Sequence, residues 1–318
     1  MMGIEKTNMV IVRLWGGIGN QLFQYSFGEF LREKYQVDVI YDIASFGKSD
    51  KLRKLELSVV VPGIPVTTDI SFSKYVGTKN RLLRFIYGLK NSFIEEKYFS
   101  DEQLFKYLSK RGDVYLQGYW QKTIYAETLR RKGSFFLSQE EPIVLHTIKA
   151  KIQEAEGAIA LHVRRGDYFS SKHINTFGVC DAHYYEKAVD IMRGRVSNAM
   201  IFVFSDDLDW VRRYVNLPTN VIYVPNYDIP QYWYIYLMSL CRHNIISNSS
   251  FSWWGAFLNM NTNKIVVSPS KWTLNSDKTI ALDEWARREK KGTIATCAQV
   301  RRNALARNLN LEFILRRG

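Results

Sequence analysis

Cysteine is scarce in this chain of 318 residues. The three cysteines, Cys180, Cys241 and Cys297, lie far apart and include no C-x-x-C pair. An odd number without close spacing supports neither a disulfide framework nor a cysteine-rich zinc site. We therefore expect a protein of a reducing compartment.

Long hydrophobic runs are missing as well. No stretch of about 18 or more apolar residues occurs, and the N-terminal sequence has no long apolar core after its first charges. We expect neither a signal peptide nor a membrane span, and the predicted location is the cytoplasm. The composition, 46% hydrophobic and 24% charged residues, is typical of soluble globular proteins and excludes extensive disorder.

Several catalytic motifs are also absent. The chain has no Walker A loop and no G-x-S-x-G elbow, and its five histidines show no metal-ligand spacing such as H-E-x-x-H. Hydrolases of those kinds are therefore excluded.

Positive charge is what the chain has in excess. The net charge is +13, and residues 287–318 supply more than half of it, with nine Lys and Arg against two Glu. Leu305, Leu309 and Phe313 lie four apart on one face of a predicted helix, so this basic tail can bind the anionic inner face of the cytoplasmic membrane peripherally. A solvated terminal helix explains the same residues. No RNP, KH, zinc-finger or helix-turn-helix signature accompanies the charge, so no nucleic-acid partner is expected.

Strand and helix patterns alternate in both halves of the chain. An apolar stretch at Met9–Trp15 precedes a glycine turn, a helix pattern at 20–35 and a strand pattern at 37–42, which predicts a β-α-β unit. A regular alternation follows over residues 157–267 and predicts an α/β protein with two Rossmann-like domains. The predicted segments are the first domain at 1–153, the second at 154–286 and the basic tail at 287–318.

The glycine turn after the first strand, Gly16 to Gly19, is followed by Asn20 and Gln21. Glycines permit close approach of a ligand to the backbone at a helix N-terminus, and the two amide side chains can hydrogen-bond sugar hydroxyls. A tight turn before a helix explains the glycines without a ligand. The segment matches a dinucleotide fingerprint only in part, because Leu22 stands where the third glycine would be.

Two adjacent arginines, Arg164 and Arg165, follow the apolar strand that contains His162. Two guanidiniums at the end of a buried strand are costly unless they meet an anion, and their planar donors match phosphate oxygens. The pattern predicts a phosphate site. An ion pair with Asp167 explains one arginine without a ligand, and both interpretations can hold together.

Two nearby carboxylates, Asp207 and Asp209, follow the next long strand pattern. Such a D-x-D can hold a divalent ion on a nucleoside diphosphate, as in metal-dependent glycosyltransferases. Helix capping at the start of LDWVRRYV explains the same residues without a metal, and we favour that interpretation.

Hydroxyl groups cluster at the start of a later predicted helix, in SNSSFS at 247–252. Hydroxyls and backbone N–H groups at a helix N-terminus can bind a phosphate. Alternatively, Ser249 or Ser250 only caps the helix. Together with the arginine pair and the glycine turn, the cluster indicates a site for a diphosphate whose negative charge must be stabilised as it leaves.

Four segments together carry a family resemblance. GGIGNQLFQYS opens the chain, HVRRGDY begins its second half, and FSDDLDW and SNSSFSWWGA follow in that order. With these motifs the chain resembles the family 11 glycosyltransferases, the bacterial and animal α-1,2-fucosyltransferases, over residues 9–272. It departs from their usual pattern at Ile18, Leu22 and Ser26, and none of these changes removes a polar group.

The resemblance implies transfer of L-fucose from GDP-fucose to the 2-hydroxyl of a terminal β-galactoside, in an oligosaccharide or a lipid-linked glycan. It implies inversion at the anomeric carbon, no metal cofactor and a role in building a surface polysaccharide. The implied fold is GT-B-like, with two Rossmann-like domains facing across a cleft.

The same resemblance implies roles for individual residues. Arg164 would contact the diphosphate of the donor. Apart from the resemblance, the acceptor hydroxyl must lose a proton, and our hypothesis for the general base is Asp167, the nearest motif carboxylate; the alternative is that an arginine occupies it fully. The implied donor-binding residues are His162, Arg164, Arg165, Asp206, Ser249, Ser250, Phe251 and Ser252. The implied residues on the side of the fucose or the acceptor are Gly17, Gly19, Asn20 and Gln21.

Three other functions stay open at this point. A metal-dependent glycosyltransferase would use Asp207 and Asp209 with another nucleotide sugar. A nicotinamide enzyme would use the glycine turn with Asp42, which has about the right spacing for a ribose-binding acid. Its imperfect fingerprint and the unexplained arginine pair count against it. A sugar-binding protein without enzyme activity is the third.

Overall fold

The computed structural model describes residues 9–48, 53–69, 82, 93–108, 113–132, 140–165, 179–273, 279–286 and 294–295. The chain divides into two compact units, Met1–Glu140 and Glu141–Gly318. This division precedes the predicted boundary at 153/154. The helix at His146–Glu154 packs with the second unit, where the Lys149 ammonium lies 5.5 Å from the centre of the Tyr236 ring.

The first unit begins with the predicted β-α-β arrangement. Its strands are β1 (Met9–Arg13), β2 (Asp38–Asp42), β3 (Val66–Thr67), β4 (Phe93–Glu95) and β5 (Val114–Gln117). Its helices are α1 (Ile18–Tyr35), α2 (Leu57–Val60), α3 (Asp101–Leu108) and α4 (Thr123–Arg131). The five strands form one parallel sheet in the order β3-β2-β1-β5-β4.

Helix α1 packs closely against its neighbours through large apolar side chains. Phe27 stacks on Trp120 with ring centres 4.1 Å apart and lies 4.8 Å from the Tyr125 ring on α4. Gly28 lies against Tyr41 of β2, where an added Cβ would come within 2.3 Å of the phenol oxygen. Glycine is therefore needed at this position for the helix to pack so closely on the sheet.

The second unit follows the predicted alternation of strand and helix. Its strands are β6 (Gly157–Val163), β7 (Val179–Cys180), β8 (Ala199–Ser205), β9 (Val221–Tyr223), β10 (His243–Ile245), β11 (Val266–Val267) and β12 (Ile294–Ala295). Its helices are α5 (His146–Glu154), α6 (Ala182–Arg193), α7 (Leu208–Tyr214), α8 (Tyr232–Leu240), α9 (Ser250–Leu258) and α10 (Asp283–Ala286). Strands β7 and β12 pair antiparallel in a separate two-stranded sheet.

The main sheet of the second unit is parallel and has the order β11-β10-β6-β8-β9. The chain places β8 and β9 on one side of β6 and then returns to place β10 and β11 on the other. Ligands of open α/β sheets bind where the strand order reverses in this way, outside the carboxyl ends of the strands. In the register of β6 and β8, Val163 lies opposite Ser205. The residues that follow these two strands are therefore neighbours.

The two five-stranded parallel sheets with their helices confirm the predicted fold class of two Rossmann-like α/β units. Among the described helices, none combines the length and the apolar character needed to cross a bilayer. The helix predicted for the basic tail falls on residues outside the described ranges.

Candidate active site

Arg164 and Asp206 form an ion pair where β6 and β8 end. Nη1 of Arg164 lies 2.8 Å from Oδ2 of Asp206, and the Arg164 side chain is 21% exposed. The other carboxylate oxygen, Oδ1, accepts a hydrogen bond from the backbone N–H of Arg165 at 2.9 Å. Asp206 therefore holds the guanidinium of Arg164 at the carboxyl edge of the sheet and leaves it partly accessible.

Arg165, in contrast, is buried. Its guanidinium carbon lies 3.6 Å from the centre of the Trp210 ring, and its Nε lies 3.6 Å from Oδ2 of Asp207. Burial lowers the pKa of Arg165 to about 10, against the opposing effect of Asp207, so the guanidinium stays charged at neutral pH. The second arginine thus packs within the protein, while the first is partly exposed.

The two aspartates of the D-x-D have separate tasks. Oδ1 of Asp207 accepts the backbone N–H of Trp210 at 3.0 Å, so Asp207 caps α7 as the capping interpretation predicted. The Asp209 side chain is 83% exposed and lies 3.5 Å from Nη1 of Arg212. Among the residues that the structure describes, no three His, Cys, Asp or Glu side chains come together as a group of metal ligands.

His162 joins β6 to the loop that follows β10. Its Nδ1 lies 2.9 Å from Oγ of Ser247, and its ring centre lies 5.3 Å from that of Phe251. Complete burial, with the charge of Arg164 as a second cause, lowers the pKa of His162 to about 3. The imidazole is therefore neutral at physiological pH and serves as a hydrogen-bonding group, not as a cation.

The serine cluster lies at the start of α9, and its hydroxyls differ in burial and in hydrogen-bond partners. Oγ of Ser249 accepts the backbone N–H of Phe251 at 3.3 Å, which confirms a capping role. Ser252 is fully buried, and its hydroxyl lies 3.3 Å from the carbonyl of Ser249 and 3.4 Å from Oγ of Ser247. Ser250 and Phe251 are half-buried. Of the predicted donor contacts in this segment, these two are therefore the most accessible.

In the first unit, Gln21 is a buried structural residue. Its Nε2 donates to the carbonyls of Gly16 at 2.8 Å and Lys54 at 2.9 Å, and its Oε1 accepts the backbone N–H groups of Glu56 and Leu57 at 3.1 Å each. An amide side chain has two donor hydrogens and two acceptor lone pairs, so all four are used. We predicted Gln21 as a sugar contact. Its position in the structure instead gives it the task of holding residues 54–57 against the glycine turn.

The remaining residues of the glycine turn lie at the start of α1. Gly17 precedes the helix as its N-cap, and Gly19 is buried in its first turn. Asn20 is half-buried, and its Oδ1 accepts a hydrogen bond from Nε2 of Gln121 at 2.9 Å. Asn20 is therefore partly accessible at the start of α1.

Asp42, the acid required by the nicotinamide alternative, is also occupied. It is buried at the end of β2, where its Oδ2 accepts the Tyr115 hydroxyl at 2.5 Å and its Oδ1 accepts the backbone N–H of Ala44 at 2.9 Å. This geometry does not suit a ribose ligand. The predicted general base, Asp167, lies outside the described residues.

The family model for glycosyl transferase family 11 matches residues 4–289. The chain belongs to glycosyltransferase family 11. The O-antigen biosynthesis glycosyltransferase WbnK of Escherichia coli is 31% identical over 86% of this chain and 98% of its own length. An alpha-1,2-colitosyltransferase of Escherichia coli is 28% identical over 89% of this chain and 100% of its own length.

A solved structure is similar to this family 11 glycosyltransferase as well. It is that of NodZ alpha-1,6-fucosyltransferase co-crystallized with GDP, with a TM-score of 0.47 and 14% identity over 80% of this chain and 93% of that chain.

Two residues that support the site of this family 11 enzyme are not indicated by its motifs. Trp210 packs against the guanidinium of Arg165, and Nδ2 of Asn226, after β9, donates to the carbonyl of Ser205 at 3.1 Å. An aromatic residue in the first turn of α7 was a usable signal for Trp210. No local pattern indicated Asn226, because its partner lies 21 residues earlier on another strand.

Proposed function

We propose that this family 11 glycosyltransferase transfers L-fucose from GDP-fucose to the 2-hydroxyl of a terminal β-galactoside, with inversion at the anomeric carbon. The observation that carries the proposal is Arg164, which Asp206 holds at 2.8 Å at the carboxyl edge of the sheet. A fixed and reachable guanidinium at a strand end is suited to the diphosphate of a nucleotide sugar.

Arg164 would act on the leaving group. As the acceptor oxygen bonds to the anomeric carbon, the bond from that carbon to the β-phosphate oxygen breaks, and its electron pair stays on the phosphate. This negative charge grows towards the transition state, so a guanidinium already aimed at it stabilises the transition state more than the bound donor. Attack from the face opposite the phosphate inverts the anomeric carbon.

The acceptor hydroxyl must lose its proton in the same step. Asp167 is the motif carboxylate nearest to the arginine pair in the sequence, and we propose it as the base. Asp167→Asn should then lower kcat by at least about 100-fold and leave the affinity for GDP unchanged. If Asp167→Asn keeps most of its kcat while Arg164→Ala loses it, the base lies elsewhere or the leaving phosphate takes the proton.

We propose that this reaction needs no metal ion. Asp207 caps α7 and Asp209 extends into solvent beside Arg212, so the two carboxylates are not directed at one ion. Arg164 would supply the positive charge that a divalent ion supplies in metal-dependent transferases.

The relatives support the linkage and the kind of acceptor. The alpha-1,2-colitosyltransferase, similar over nearly the whole chain, supports an α-1,2 linkage. The relative named for O-antigen biosynthesis supports a glycan of a surface polysaccharide, free or lipid-linked, as the natural acceptor.

Incubation of the purified chain with GDP-fucose and lactose in excess EDTA tests the proposal. We expect mass spectrometry to show an added deoxyhexose and NMR to show its α-1,2 linkage to galactose. Arg164→Ala should lower kcat by about 100- to 1000-fold. The matched control is Arg212→Ala, because Arg212 is an exposed arginine on α7. Activity that is lost in EDTA and restored by Mn²⁺ would favour the metal-dependent alternative.

A second donor is favoured by the relative that transfers colitose. Colitose is L-fucose without its 3-hydroxyl, so the GDP-activated forms of both sugars would present the same diphosphate to Arg164. A reaction that contains both donors, read by the mass of the product, decides which sugar is preferred. Dominant transfer of the lighter sugar would replace fucose in the proposal.

We further propose that the enzyme is cytoplasmic and that its basic tail binds the inner face of the cytoplasmic membrane. The tail carries nine Lys and Arg against two Glu. Clusters of basic residues bind anionic lipid surfaces, and a lipid-linked acceptor would be presented there.

A further inference from the structure

A stacked aromatic pair lies at the carboxyl edge of the first sheet. Trp15 follows the end of β1, and Tyr119 follows the end of the neighbouring strand β5. Their ring centres are 4.9 Å apart, and the ring planes differ by 19°. The pair therefore occupies the edge at which open α/β sheets bind their ligands.

Trp15 is fixed through both its backbone and its ring. Its N–H donates to Oε1 of Gln24 at 3.1 Å, and its indole Nε1 donates to the carbonyl of Gly118 at 3.3 Å. The fully buried amide of Gln24 donates to the same carbonyl at 3.2 Å. These bonds tie the indole to the segment that carries Tyr119.

The backbone of Tyr119 is fixed by Glu96, which follows β4. Oε2 of Glu96 accepts the N–H of Tyr119 at 2.8 Å and that of Trp120 at 3.0 Å. At Gly118 an added Cβ would come within 2.5 Å of the Cβ of Glu96. Glycine is therefore needed at position 118 so that the Glu96 side chain can pack against the backbone there. Tyr119 nevertheless remains 37% exposed.

Trp120, the residue after Tyr119, shows how deeply an aromatic ring of the core is buried. Trp120 is 1% exposed and stacks on Phe27, as expected of a core residue. Tyr119 has no comparable burial, although its backbone is held just as firmly. Rigid presentation of a partly exposed ring reduces the entropy lost on binding and is typical of ligand sites.

Polar side chains border the aromatic pair. Nε2 of Gln121 donates to Oδ1 of Asn20, and Nη1 of Arg13 donates to Oε1 of Gln117 at 2.8 Å. The guanidinium of Arg13 lies 5.1 Å from the centre of the Trp15 ring. Amides can exchange hydrogen bonds with hydroxyls, and an aromatic face packs on the C–H face of a pyranose. The combination suits a neutral sugar.

We infer that Tyr119, backed on one face by Trp15, is the stacking platform for the terminal galactose of the acceptor, with Asn20 and Gln121 as partners of its hydroxyls. The inference rests on the proposed function, in which Arg164 takes the charged diphosphate. A β-galactopyranose presents the C–H groups of C3, C4 and C5 on one face, and this face would lie on the exposed aromatic surface.

The test compares Tyr119→Ala with Tyr119→Phe in the full chain. Loss of the ring should raise the KM for lactose about tenfold and weaken saturation-transfer NMR signals from lactose. The KM for GDP-fucose and the kcat at saturating lactose should not change. Tyr119→Phe keeps the ring and should keep the KM of the wild type. Tyr35→Ala is the matched control, because it removes a ring at the opposite end of α1.

Several outcomes would overturn the platform. One is an unchanged lactose KM in Tyr119→Ala, and another is a loss of affinity for GDP instead of lactose, which would assign the ring to the nucleotide base. Wild-type protein that gives no saturation transfer to lactose would overturn it even if fucose were transferred. Lactose binding that is lost with the ring, in a protein that transfers no fucose, would support the platform and contradict the proposed reaction.

Discussion

Asp206 accepts two hydrogen bonds from consecutive residues, one from the guanidinium of Arg164 at 2.8 Å and one from the backbone N–H of Arg165 at 2.9 Å. One carboxylate thus fixes both the proposed phosphate-binding group and the backbone that carries it. Asp206 is therefore a positioning residue for Arg164.

Asp206→Asn keeps a side chain of the same size and removes the charge that holds Arg164. We expect kcat to fall about tenfold, which corresponds to the loss of a charge-assisted hydrogen bond of ~1.5 kcal/mol in the transition state. Steady-state kinetics with varied GDP-fucose measures this effect. Asp209→Asn is the control, because that carboxylate is exposed, and equal effects of the two substitutions would contradict the positioning role.

Trp210→Leu removes the ring on which the buried Arg165 guanidinium lies. A desolvated cation–π contact is worth about 2 kcal/mol, so we expect a lower melting temperature and weaker GDP binding. Trp210→Phe should recover part of both. Tyr223→Leu is the matched control, since its ring lies 4.4 Å from the exposed guanidinium of Arg212. A Trp210→Leu protein with wild-type stability and GDP affinity would show that Arg165 is held by other groups.

His162 gives the protein a stability that depends on pH. In the folded chain burial lowers the pKa of His162 to about 3, whereas an unfolded histidine has a pKa of about 6.5. Between these values the unfolded chain binds the extra proton, so stability is complete above pH 6.5 and is lost as the pH falls. We expect the free energy of unfolding to be about 2 kcal/mol lower at pH 5 than at pH 7 from this group alone.

Urea unfolding at the two pH values measures this difference. His162→Gln offers a neutral hydrogen-bonding side chain to Ser247 and should reduce the pH dependence by that amount. His146→Gln is the control, because His146 is exposed. If wild type and His162→Gln show the same pH dependence, protonation of His162 does not lower the free energy of unfolding.

Gln21→Leu is expected to destabilise the first unit. The substitution leaves four backbone groups, in the glycine turn and at 54–57, without their amide partner, and the N–H of Leu57 among them is buried. We expect a loss on the order of 3 kcal/mol in urea unfolding. Gln153→Leu, on the exposed face of α5, should change stability little. An equally small effect at Gln21 would mean that water replaces the amide.

Removal of residues 301–318 takes five arginines from the basic tail. If the tail binds anionic lipid, this deletion lowers the recovery of the protein with phosphatidylserine vesicles at low salt. The binding free energy should weaken by about 1 kcal/mol for each deleted basic residue that contacts the surface. Sedimentation with the vesicles measures the change, and phosphatidylcholine vesicles are the control. Unchanged recovery would leave the solvated terminal helix as the interpretation of the tail.

The second unit was predictable because its strands are continuous apolar runs. The apolar runs at Ala158–Val163 and Met200–Phe204 belong to the alternation predicted over residues 157–267, and the structure has strands at Gly157–Val163 and Ala199–Ser205. In the first unit, β3 and β4 contain only two and three residues. Such short strands show no period of their own and depend on pairing with their neighbours, so no local pattern indicated them.

The candidate site was predictable as a set of strand ends but not as a set of contacts. Arg164 and Asp206 were both placed after strands, yet their ion pair depends on the register of β6 against β8. Gln21 was assigned to a ligand because it stands among glycines. Three of its four partners, at 54–57, lie more than 30 residues away along the chain.

Cys180 ends β7 and donates its thiol hydrogen to Oδ1 of Asn248 at 3.6 Å, in the loop before α9. Burial raises the pKa of this thiol to about 12, so the reactive thiolate forms only when the loop moves away and water enters. The rate at which a thiol reagent modifies Cys180 is therefore a measure of how often the loop opens. A nucleotide at the donor site that we propose beside this loop would hold the loop closed, so slower modification of this native cysteine would report that the proposed site is occupied, without any added label.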